Sequence, residues 1–116
     1  MTMMQERTWI DVCGYDDLQS ELGTRVLVGD EHVAVFRTHE GAVHAISAID
    51  PFSGASVLSR GIVGSCGDAP FVASPMYKQR FDLRTGRCLD ADVEPLGVHD
   101  VALHDGVVVV RRRMPG

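Results

Sequence analysis

Ser74-Pro75-Met76-Tyr77-Lys78-Gln79-Arg80-Phe81-Asp82-Leu83-Arg84-Thr85-Gly86 is the stretch that decides the fold. Residues 79–83 read as a short strand, and Arg84-Thr85-Gly86 reads as the turn that closes it. Side chains alternate across a strand, so Lys78 and Arg80 are expected on one face and Gln79 on the other. Just upstream, residues 61–65 and 69–74 form an expected strand pair around Gly67-Asp68. Short strands joined by tight turns make this part of the chain β rather than helical.

The same punctuation runs outward in both directions. Residues 8–13 alternate and carry Trp9, which is expected in the core. Strands are expected over 25–28 and 32–38, around Gly29-Asp30-Glu31, and over 42–49 after His39-Glu40-Gly41. Residues 98–103 and 107–112 flank His104-Asp105-Gly106, and Asp-Gly between apolar runs is a strong hairpin signal. The closing run Val107-Val108-Val109-Val110 is apolar on both faces, so it is expected inside a sheet, not at an open edge. Asp16 and Asp17, with Leu18 and Leu22 four residues apart, predict a short helix over 15–22 that Gly23 stops. Residues 51–58 read as a loop with room for one helical turn, and 90–97 as a polar connection holding Pro95. The expected class is all-β: an antiparallel sandwich or barrel with at most one or two short helices, forming a single domain over 1–116.

Composition narrows the function. The chain is 45% hydrophobic and 23% charged, the balance of a soluble globular protein. Its net charge of −5 and pI near 5.4 disfavour nucleic acid or an anionic membrane as partner. No apolar run approaches the roughly 20 residues of a membrane span, and the first residues lack the order of a secretion signal. Cys13, Cys66 and Cys88 show no paired spacing, which fits a reducing cytoplasm. The basic run Arg111-Arg112-Arg113 reads as a solvated strand end or as a contact for an acidic partner. The histidines stand singly. His32 and His44 fall in neighbouring strands and could approach one another, whereas His39, His99 and His104 are expected at turns or in solvent; two imidazoles without a third ligand make a poor metal site.

With the opening stretch and residues 45–52 set side by side, the chain resembles a Rieske iron–sulfur domain. In that frame one loop carries Cys-x-His and the second carries Cys-Pro-x-His, followed by x-x-x-Phe-Asp-x-x-x-Gly. The corresponding ligand positions here hold Asp50 and Phe52, then Ser74 and Tyr77. A Rieske cluster needs two thiolates and two imidazoles. Phe52 has no donor atom, Ser74 lacks a soft thiolate, and Asp50 and Tyr77 are hard oxygen donors. The resemblance therefore implies the scaffold, with a two-loop subdomain over about 45–85, but not the metal.

Three further pieces sharpen it: Ile49-Asp50-Pro51-Phe52, Val57-Leu58-Ser59-Arg60-Gly61, and Ser74-Pro75 followed by Lys78-Gln79-Arg80-Phe81. Together they resemble the small subunits of assimilatory NAD(P)H-dependent nitrite reductases. That family implies a cytoplasmic, non-catalytic subunit with no cofactor of its own. Its large partner subunit would hold FAD, siroheme and a [4Fe–4S] cluster and reduce nitrite to ammonium. The candidate partner-docking residues are Phe52, Arg60, Tyr77, Lys78, Gln79 and Arg80. Phe52 is either a plug filling the volume a cluster would take or an aromatic anchor for the partner. The Tyr77 hydroxyl is a candidate tie to Asp50 or Ser74 across the site. Arg60, Lys78 and Arg80 are either a solvated face or a small positive docking patch. Two rival functions remain: a stand-alone electron carrier with an atypical metal site, and an interaction module of another oxidoreductase.

Overall fold

The computed structural model describes residues 9–76 and 78–112. Its elements run β1 (Ile10–Gly14), β2 (Gly23–Val28), β3 (Glu31–Arg37), β4 (Val43–Ser47), β5 (Ile62–Cys66), β6 (Ala69–Ala73), β7 (Arg80–Asp82), β8 (Val98–His104) and β9 (Val107–Arg112). Two single 3-10 turns, Tyr15–Asp17 and Leu58–Arg60, are the helical elements.

Six strands form one antiparallel sheet in the order β1-β9-β8-β4-β3-β2, and β5-β6-β7 form a second, three-stranded sheet. The edge strands β1 and β2 approach one another, so the larger sheet curls into a near-barrel. As expected from its all-apolar run, β9 lies inside that sheet, between β1 and β8.

The alternation along β3 organises the core. Val33 and Val35 face the interior of the curled sheet with Leu18, Ala45, Val108 and Val110. Ala34 and Phe36 face the other way and meet Ile46, Ala48, Leu58, Val72, Phe81 and Leu83, which join the small sheet to the large one. A strand buried on both faces must read as a continuous apolar run, as Val33-Ala34-Val35-Phe36 does. The small sheet enters the chain between β4 and β8, so the loops leaving β4 and β6 emerge side by side at one end of the molecule.

Four local expectations fail for identifiable reasons. The helix over 15–22 is only a 3-10 turn, because Ser20 and Glu21 pair with Arg37 of β3 instead. Leu18 is buried while Leu22 is 53% exposed, so the two leucines do not share a face. Trp9 lies outside the core at 38% exposure, with the Arg111 guanidinium 4.3 Å over its ring. His99 is buried on β8, with its Nε2 3.5 Å from the Glu31 carboxylate, and does not face solvent. His32 and His44 lie apart along the β3–β4 ladder, where His44 pairs with Phe36.

Candidate functional site

The first loop begins at Asp50, whose amide donates to the Ala55 carbonyl at 2.9 Å while its own carbonyl accepts from the Gly54 amide at 2.7 Å. One carboxylate oxygen accepts the Phe52 amide at 2.8 Å, an Asx turn that sets the Pro51-Phe52 corner. The second loop is closed in the same way by Ser74, whose amide donates to the Gln79 carbonyl and whose carbonyl accepts from the Lys78 amide, both at 2.9 Å. Its hydroxyl accepts the Met76 amide at 3.2 Å. The two roots then meet: the Ser74 hydroxyl donates to the second carboxylate oxygen of Asp50. Both side chains are buried, Asp50 at 0% and Ser74 at 1% exposure.

The neighbouring motifs support these loops from below. Leu58 is fully buried, and the chain leaves its 3-10 turn through Gly61. A Cβ at Gly61 would come within 2.4 Å of the Ala73 carbonyl oxygen, so no larger residue fits between the turn and β6. Phe81 is fully buried. Asp82 holds the turn after it, accepting the Arg84 amide at 2.7 Å, and its carbonyl accepts the Gly86 amide at 2.8 Å. Gly86 has φ +78°, and a Cβ there would lie 2.2 Å from the Leu96 carbonyl oxygen. Burial alone would raise the Asp82 carboxyl, but hydrogen bonds and charge from Arg84, with the Thr85 amide, outweigh it and hold it below the usual carboxylate range.

The predicted docking residues fall around the two loops with different standing. Phe52 is 36% exposed and its ring centroid lies 6.4 Å from that of Phe81, tilted by 46°. It caps the core with one face and meets solvent with the other. Arg60 is exposed at the end of the 3-10 turn, and Gln79 is half-buried. Lys78 is exposed with φ +67°, a turn conformation, so it does not share a strand face with Arg80. Arg80 is the first residue of β7 and is paired: its guanidinium grips Asp90 at 2.7 and 3.1 Å and lies 5.6 Å from the Phe71 ring. The Arg80 amide also donates to Asp90, at 2.8 Å. Asp90 is held below the usual range by these hydrogen bonds and by the Arg80 charge. Sequence reading missed Asp90 because nothing local marks a partner ten residues away across a turn. Tyr77 lies outside the described residues, and so does the tie expected from its hydroxyl.

The donor set does not fit an iron–sulfur cluster. At Asp50, Phe52 and Ser74, the described positions that the motif frame compares with ligands, stand a carboxylate already engaged by Ser74 and Phe52, a phenyl ring and a hydroxyl. Among the described residues no three His, Cys, Asp or Glu side chains converge on a point where they could hold a metal. No helix among them is long and apolar enough to cross a membrane.

The curled sheet, the inserted three-stranded sheet and the paired loops define a Rieske-like domain, and the family described as "Rieske-like [2Fe-2S] domain" matches residues 8–111. The nitrite reductase (NADH) small subunit of Escherichia coli K12 is 44% identical over 104 residues, covering 89% of this chain and 96% of that protein. The solution structure of the E. coli protein NirD superposes with a TM-score of 0.81 at 43% identity, covering 89% of this chain and 94% of that one. A Klebsiella oxytoca protein named nitrite reductase [NAD(P)H] large subunit is 36% identical over 107 residues, 92% of this chain but 11% of that longer protein. The chain thus belongs to the Rieske-like family and, within it, to the small subunits of NAD(P)H-dependent nitrite reductase.

Proposed function

We propose that this chain is the small subunit of a cytoplasmic NAD(P)H-dependent nitrite reductase and supports reduction of nitrite to ammonium by a large subunit. The observation that carries the reading is the match to the E. coli small subunit over 96% of its length. The Klebsiella match adds that a related module can reside on the same chain as a large subunit, where linkage keeps it at high effective concentration beside the rest. In this reading FAD, siroheme and [4Fe–4S] belong to the large subunit, and this chain contributes no catalytic group.

The two-loop subdomain, about residues 45–85, is the docking end. Phe52, half in the core and half in solvent, suits an anchor that enters a partner pocket without reorganising. Met76 on the second loop is 50% exposed, and Arg60, Lys78 and Gln79 supply a polar rim; Tyr77, outside the described residues, is the remaining candidate. Arg80 takes a different part. Its charge is already matched by Asp90, so it offers no free cation to the partner.

The test is reconstitution. The large subunit, purified with its cofactors, is assayed for nitrite-dependent NADH oxidation with and without this chain, and the two are run together by size exclusion. Co-elution, with gain or retention of activity, supports the reading. Failure to associate at low salt refutes it.

A further inference from the structure

Of the exposed apolar side chains at the docking end, Phe52 and Met76 sit on the two loops themselves, one on each, whereas Ile62 lies on β5. Each loop is closed by its own backbone hydrogen bonds at Asp50 and Ser74, which shape each corner but do not relate one to the other. Among the described residues a chain of three hydrogen bonds, buried at its central link, does that. The Met76 amide donates to the Ser74 hydroxyl, that hydroxyl donates to Asp50, and the other Asp50 oxygen accepts the Phe52 amide.

We propose that Asp50 and Ser74 are positioning residues whose buried hydrogen bond fixes Phe52 and Met76 in one mutual arrangement, so that the partner meets a preformed surface. The inference rests on the docking end described above. A hydroxyl is suited to the middle of the chain because it accepts from one group and donates to another at once. The Asp50 carboxylate is fully out of water and accepts from two neutral donors, Ser74 and Phe52. A buried acceptor of this kind loses much when a donor is removed, so the loops are held together by more than contact. A partner that meets loops already in register avoids ordering them on binding.

Amide hydrogen exchange by NMR, together with titration of the purified large subunit, tests this on the wild type, Ser74→Ala and Asp50→Asn. Ser74→Ala lies in the second loop, yet exchange at the Phe52 and Gly54 amides of the first loop is expected to rise about tenfold. Exchange in β8 and β9 stays unchanged. The Kd for the large subunit rises about tenfold. Asp50→Asn keeps the side-chain volume and an acceptor for Phe52, and its NH2 can donate to the Ser74 hydroxyl as a weaker neutral link, so it is the milder variant should Ser74→Ala fail to fold, and its exchange at Phe52 and its Kd are expected between those of the wild type and Ser74→Ala. Faster exchange confined to the mutated loop, or an unchanged Kd, overturns the proposal. If the wild type itself does not bind the large subunit, the docking reading fails, and the exchange result alone then decides the coupling of the loops.

Discussion

The two halves of the stretch 74–86 obey different constraints. From Phe81 to Gly86 every requirement is internal: a ring buried in the core, a carboxylate holding a turn, and a glycine pressed on the Leu96 carbonyl. These needs exist whatever the neighbouring loops bind. From Ser74 to Gln79 the loop carries a hydroxyl that reaches a carboxylate on the other loop. The scaffold half is therefore read as structure. The loop half is read as a surface whose geometry is kept by hydrogen bonds in place of ligation.

That contrast can be broken from the scaffold side first. Phe81→Ala empties the junction of the two sheets and is expected to cost about 3–5 kcal/mol in urea unfolding. Gly86→Ala forces a side chain into a left-handed position against backbone and is expected to cost about 3 kcal/mol. If either is nearly neutral, the turn is not the fixed element described here.

Acid sharpens the same half. Asp82 has a folded-state pKa below its unfolded value near 3.9. Its contribution to stability is thus fully present above about pH 4 and is lost as pH falls through the lower folded value. The wild type should lose stability as pH falls below about 4, measured as thermal melts, and Asp82→Asn should flatten that loss while lowering stability at neutral pH. Asp90 shifts in the same direction but is exposed, so Arg80→Gln is expected to leave the melting temperature almost unchanged.

The loop half should behave in the opposite manner. Phe52→Ala removes a ring that is already 36% exposed, so it is expected to cost about 1 kcal/mol or less in stability. Its larger effect is expected on association.

Much of the scaffold was legible in the sequence. All nine strands among the described residues lie where alternation and turn residues predict them, because each is marked locally by period and punctuation. The errors fall where a distant group decides. The stretch after Asp17 pairs with Arg37 of β3 in place of forming helix. Trp9 is covered by Arg111, and Arg80 is claimed by Asp90. At the site the motif frame singled out Asp50 and Ser74, and both are buried. That Asp50 and Ser74 touch was not legible, since the contact spans 24 residues and depends on how two loops are brought together.

The central claim, that the two-loop end receives the partner, is tested most directly by the affinity of the purified large subunit for two variants. Phe52→Ala removes the anchor at the loops, and Leu103→Ala removes a more exposed leucine, at 54%, near the far end of β8. The account predicts a Kd raised about tenfold or more for Phe52→Ala and a wild-type value for Leu103→Ala. Equal affinities, or a loss confined to Leu103→Ala, would contradict it.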